Sequence, residues 1–122
     1  MEEQNELKLK IGNEEAVTLK PGKVKILNIS AEEIGKGKKV ICESKHPDNE
    51  EPIKISAIKY EKKGKLERSG TWLNLDSKGL IRKGSALAVL LSFLKCQTPE
   101  ELKDKEIETV QDEAGYLVFK CY

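Results

Sequence analysis

The sequence predicts a mostly β single domain, residues 1–122, with one buried helix. Three observations predict it. The first half of the chain alternates apolar and polar residues at the period of two that a half-buried strand requires. The second half switches to helical spacing between Ala86 and Leu94. At 122 residues the chain is long enough to bury one core and too short to divide into two.

The elements follow in order. Leu7, Leu9 and Ile11 alternate with Lys8 and Lys10, which predicts a strand; Val17 and Leu19 come next, before the turn signal Pro21-Gly22. Val24, Ile26 and Ile29 alternate with Lys23, Lys25 and Asn28. The glycine-rich run Ile34-Gly35-Lys36-Gly37-Lys38 reads as a loop, Val40–Glu43 as a strand, and His46–Pro52 as a polar loop bounded by two prolines. Ile53, Ile55 and Ala57 alternate, with a phase shift at Ile58 if Tyr60 continues the strand. Lys62-Lys63-Gly64-Lys65 is a hairpin turn and Ser69–Asp76 a strand. Ser85 caps a helix carrying Leu87, Leu90, Leu91 and Leu94, apolar around most of its circumference and therefore buried. Thr98-Pro99-Glu100-Glu101 starts a second, short helix. Glu106–Val110 and Tyr116–Tyr122 form a closing hairpin around Asp112-Glu113-Ala114-Gly115. Short strands with a helix inserted late predict an OB-like antiparallel barrel whose helix plugs one end. An open α+β sheet with the helix on one face is the alternative.

Composition narrows the function. Hydrophobic residues make up 38% and charged residues 35%, which excludes a disordered tail or a fibre. The longest apolar run, Ala86–Leu91, falls short of the ~20 residues a bilayer needs. The acidic start Met1–Glu6 is the opposite of a signal peptide, so a cytoplasmic protein is expected. There are 20 Lys against 2 Arg and 17 Glu against 4 Asp, a bias that fits a thermophilic source or an AT-rich genome. Charge is unevenly spread: −2 over residues 1–35, +6 over 36–83 and −3 over 84–122.

No motif predicts catalysis. Glu14-Glu15, Glu32-Glu33, Glu50-Glu51 and Glu100-Glu101 are neighbours whose side chains diverge. His46 is the one histidine, in a proline-bounded loop, and is expected to be structural or solvent-exposed. With Cys42, Cys96 and Cys121 it makes no zinc site of ordinary spacing, and Cys42 and Cys121 read as small core residues. Gly35-Lys36-Gly37-Lys38 lacks the spacing of a phosphate-binding loop. The chain is expected to be no enzyme and to need no cofactor.

What remains is a basic stretch with interleaved aromatics. Single-strand binders need cations for phosphates and flat rings for bases. Lys36, Lys38 and Lys39 form one cluster; Lys59, Tyr60, Lys62, Lys63, Lys65 and Arg68 form another, with Trp72 four residues on. A hairpin from Ile53 to Leu75 would set a half-exposed Tyr60 beside Trp72 on neighbouring strands. The opposing expectations are that the lysines are only a solvated face and Trp72 only core.

The strand Trp72-Leu73-Asn74-Leu75-Asp76 followed by the helix start Lys83-Gly84-Ser85-Ala86-Leu87 resembles small phage-borne and archaeal OB-like single-stranded-DNA-binding proteins. The resemblance covers about a third of the chain and describes packing and a helix cap. It implies a small single-stranded nucleic-acid-binding module. The alternative is a non-enzymatic protein-interaction module, or a viral or mobile-element accessory factor, whose edge strands pair with a protein partner.

Overall fold

The computed structural model describes residues 7–10 and 19–122. Ile11, Val17 and Met1–Glu6 lie outside the described residues. Leu7–Lys10 form no strand, and Leu7 and Leu9 are exposed, so the alternation there does not mark a buried face.

Among the described residues the chain forms seven strands and one α-helix: β1 (Lys23–Ile34), β2 (Gly37–Lys45), β3 (Ile53–Ile55), β4 (Ala57–Lys62), β5 (Lys65–Gly70), α1 (Ala86–Phe93), β6 (Glu106–Gln111) and β7 (Leu117–Cys121). A 3₁₀ turn, Pro99–Leu102, precedes β6. The strands form one mixed sheet in the order β3-β2-β1-β6-β7-β4-β5. The class is mostly β, as the alternation predicts. The ladder is open rather than the expected closed antiparallel barrel, and β4 runs parallel to β7. The parallel pair has a physical origin: the crossover through α1 returns the chain to its starting side, which a short hairpin cannot do.

β3 and β4 are separated only by Ser56. The first pairs with β2 and the second with β5 and β7, so one bent strand serves two parts of the sheet. Its phase shift is real: Ala57 and Ile58 are both buried. A bulge between Ile26 and Asn28 shifts β1 in the same way. The run expected as a loop at 34–38 is instead the tight turn of the β1–β2 hairpin, with Ile34 facing Gly37. Beyond Gly70 the predicted strand survives only as isolated bridges, Lys39 to Trp72 and Leu75 to Ile81.

The helix packs on the sheet through Leu87, Leu90 and Leu91, beside Ile58, Tyr60 and Phe119. Full burial of each such side chain contributes roughly 1.5–3 kcal/mol. Ser85 Oγ accepts the Ala88 N–H at 3.3 Å, capping α1. At the 3₁₀ turn, Glu101 Oε2 accepts the N–H groups of Thr98 and Gln97, which hold its carboxyl below the usual range. Thr71, fully buried, donates its hydroxyl to the Val40 carbonyl at 2.6 Å. No buried side-chain nitrogen or oxygen among the described residues lacks a partner.

Candidate nucleic-acid interface

Trp72 follows directly after the last hydrogen-bonded stretch of the bent sheet. Val40 N–H donates to the Thr71 carbonyl and Leu73 N–H to the Lys38 carbonyl, so Lys39 and Trp72 stand opposite each other as a non-hydrogen-bonded pair. Side chains approach closely at such pairs. The Lys39 ammonium lies 5.1 Å from the Trp72 ring centre. Trp72 keeps 39% of its surface exposed, which settles it as a surface ring and not a core residue. Two glycines make the room: a Cβ on Gly37 would come within 3.2 Å of the ring, and one on Gly70 within 2.7 Å of Lys39 Cε and 2.8 Å of Trp72 Nε1. Burial first, and the charge of Arg68 second, hold the Lys39 amine below its ordinary value.

The strand register extends this surface. Gly70 faces Ala57 and Arg68 faces Lys59 across the β4–β5 ladder, and Lys120 of β7 lies beside Lys59. Alternation therefore puts Lys59, Arg68 and Lys120 on the outer face, with Ile58, Tyr60 and Phe119 turned to the core. Arg68 Nε is 3.4 Å from Asp112 Oδ2. The other carboxylate oxygen, Asp112 Oδ1, accepts the N–H groups of Ala114 and Tyr116 at 2.9 Å each, which sets the β6–β7 turn above the sheet. Between this turn and β3–β4 runs a cleft of about 610 Å³, adjoined by one of about 470 Å³; Arg68, Ala114 and Tyr116 line both.

Of the residues singled out in the sequence, the structure brings together Lys39, Lys59, Arg68 and Trp72. Lys36 and Lys38 sit at the exposed tip of the β1–β2 hairpin, and alternation turns Lys38 to the face opposite Lys39. Lys62, Lys63 and Lys65 occupy the far tip of the β4–β5 hairpin, where Lys63 and Gly64 take φ of 52° and 80° as a two-residue turn demands. Tyr60 corrects the expectation of a half-exposed ring: it is 8% exposed and belongs to the core. It faces Glu67 and Cys121, not Trp72, because β5 ends before Trp72 is reached.

The sequence reading missed Tyr116 and Lys54. Tyr116 ends the Asp112–Gly115 turn and is 71% exposed; Lys54 is the outward residue between Ile53 and Ile55. A ring placed directly after a glycine turn was the available signal for the first, and alternation for the second.

His46 is buried, its Nε2 2.7 Å from the Lys20 carbonyl and its Nδ1 accepting the Asp48 N–H at 3.0 Å, so both ring nitrogens are engaged in structure. Burial pushes the thiols of Cys42 and Cys121 up to about 12. No group of three His, Cys, Asp or Glu among the described residues could hold a metal ion. No helix among them is long and apolar enough to cross a membrane. No family model matches the chain, and no curated protein and no solved structure matches it.

Proposed function

We propose that the outer face of β2, β3, β4 and β5 binds single-stranded nucleic acid, single-stranded DNA first, without catalysis. The observation that carries this reading is the Lys39–Trp72 pair: a flat ring, half open to water, with a cation over it and further cations along the same face. Bases stack on such a ring whatever their sequence, while Lys39, Lys54, Lys59 and Arg68 neutralise phosphates. On this reading the open sheet is a relative of the partly open oligonucleotide-binding barrel, which binds through the face of its second and third strands and the turns beside them. The bent strand across Ser56, the late helix and the final hairpin support that kinship.

One observation favours the second reading, a protein-interaction module. β5 ends the strand order, so the outer edge of Lys65–Ser69 has no ladder partner among the described residues, and Leu66 on it is exposed. Such an edge can take up an extended peptide.

Trp72 is the only tryptophan, so its emission reports on the site. Titration with single-stranded and duplex oligonucleotides at about 50 and 200 mM salt separates the readings. Quenching by single strands that weakens steeply with salt is expected. Absence of binding to either at low salt would remove the nucleic-acid reading and leave the edge-strand one.

A further inference from the structure

The larger cleft holds features that a generic basic face would not need. Its floor includes Ala57 and Val118, both buried and apolar. Its volume, about 610 Å³, lies in the range of small-ligand sites. Lys54 and Arg68 supply the cationic side, and the exposed ring of Tyr116 lies at the turn above.

Arg68 is the informative residue. Its pairing with Asp112 runs through Nε, and its two terminal nitrogens have no hydrogen-bond partner among the described residues. The side chain is 48% exposed, while Asp112 is 8% exposed. A nearly buried carboxylate thus aims a half-open guanidinium whose remaining fork suits the two oxygens of a phosphate. The same carboxylate fixes the turn that carries Tyr116. Cation and ring are therefore set by one anchor, at the edge of one apolar cleft.

We propose that this cleft seats a single nucleotide unit of the bound strand, its phosphate on the Arg68 fork and its base beneath Tyr116. This rests on the reading of the outer face as a single-strand site and adds a discrete pocket to it. The occupant is flat and anionic because the floor is apolar, the rim aromatic and the wall cationic.

Two variants and one small probe test the pocket. Ala114 is exposed in the β6–β7 turn and lines the cleft, so Ala114→Trp fills the space without touching the core. Arg68→Lys keeps the charge and loses the fork. Binding is read by anisotropy of a fluorescein-labelled twelve-nucleotide oligothymidylate, with folding checked by thermal melting. Each variant is expected to bind about tenfold more weakly, with the Arg68→Lys salt slope unchanged because the charge count is unchanged. Thymidine 5′-monophosphate should shift the amide resonances of Ala57, Gly115 and Val118 saturably. If wild type and both folded variants bind the oligonucleotide equally, the pocket is overturned while the single-strand reading stands. If wild type does not bind the oligonucleotide at low salt, that reading falls and the pocket falls with it. In that case, shifts from the mononucleotide alone would mark a free-nucleotide site instead.

Discussion

The Lys39 ammonium and the Trp72 ring meet 5.1 Å apart across an isolated bridge between β2 and the segment after β5, as a pair that exchanges no hydrogen bond. Each residue restricts the other. The amine stands over one face of the ring, and its burial lowers its affinity for a proton. Cation–π contacts at half-exposed sites contribute roughly 0.5–1 kcal/mol, so the pair orients the ring more than it stabilises the fold.

Gly70→Ala should displace that ring. The new Cβ would fall 2.8 Å from Trp72 Nε1, a distance that forces movement, and 2.7 Å from the flexible Lys39 Cε. The expected result is a red-shifted Trp72 emission, stronger acrylamide quenching and weaker oligonucleotide binding. An unchanged spectrum would mean that the ring does not depend on the glycine seat.

Two lysine trios should separate face from tip. Changing Lys39, Lys54 and Lys59 to Gln removes the lysines beside Trp72 and the clefts, leaving Arg68, and should flatten the salt slope by about two units, at roughly 0.7 per phosphate contact. Changing Lys62, Lys63 and Lys65 to Gln alters only the hairpin tip and should leave the slope within about half a unit. Equal effects in binding titrations would place the phosphate path elsewhere.

Leu90→Ala should cost about 2–5 kcal/mol in a urea or thermal unfolding curve, since Leu90 is fully buried against the sheet. A loss under about 0.5 kcal/mol would mean that the helix face is not part of the core.

Local signals explain what was legible in the sequence. The Lys62–Lys65 turn, the Ser85 cap and the Thr98–Glu101 box are each specified within four or five residues, and each forms where the spacing puts it. Alternation likewise marked Val24, Ile26 and Ile55 as inward-facing. Alternation does not say which strand lies next to which. The parallel pairing of Ile58 with Phe119, and the meeting of Trp72 with Lys39, join distant segments and left no local trace. Tyr60 was misplaced for the same reason: lysines on both sides made it look wet, but its ring turns to the opposite face of its strand. The candidate site was legible as four of its cations and rings, not as a surface.

Stability should fall at alkaline pH through Cys42 and Cys121. Their folded thiols titrate at about 12 against an ordinary 9.0, so between those values the folded chain holds protons that the unfolded chain has lost. The contribution is complete below pH 9 and is lost as pH rises toward 12. Each thiol steepens the decline by at most about 1.4 kcal/mol per pH unit. Lys39 acts in the opposite direction, since its folded amine is held below 10.5 and releases its proton earlier than in the unfolded chain. Urea midpoints at several pH values should decline more gently in the Cys42→Ala/Cys121→Ala protein. An identical pH profile in the two proteins would assign the decline to other groups.

The place of the β6–β7 hairpin, between β1 and β4, governs how the polypeptide can be synthesised safely. Lys23 waits for Glu108 and Ile58 for Phe119, so the central ladder cannot zip while the ribosome is still making α1. Until then the nascent chain presents two separate ladders, β1–β2–β3 and β4–β5, hinged at Ser56 with β1 and β4 unpaired along their inner edges. Non-local pairing of this kind slows folding and leaves strand edges open to neighbouring chains. Expression should therefore respond to chaperone supply and to growth temperature more than the stability of the finished domain would indicate.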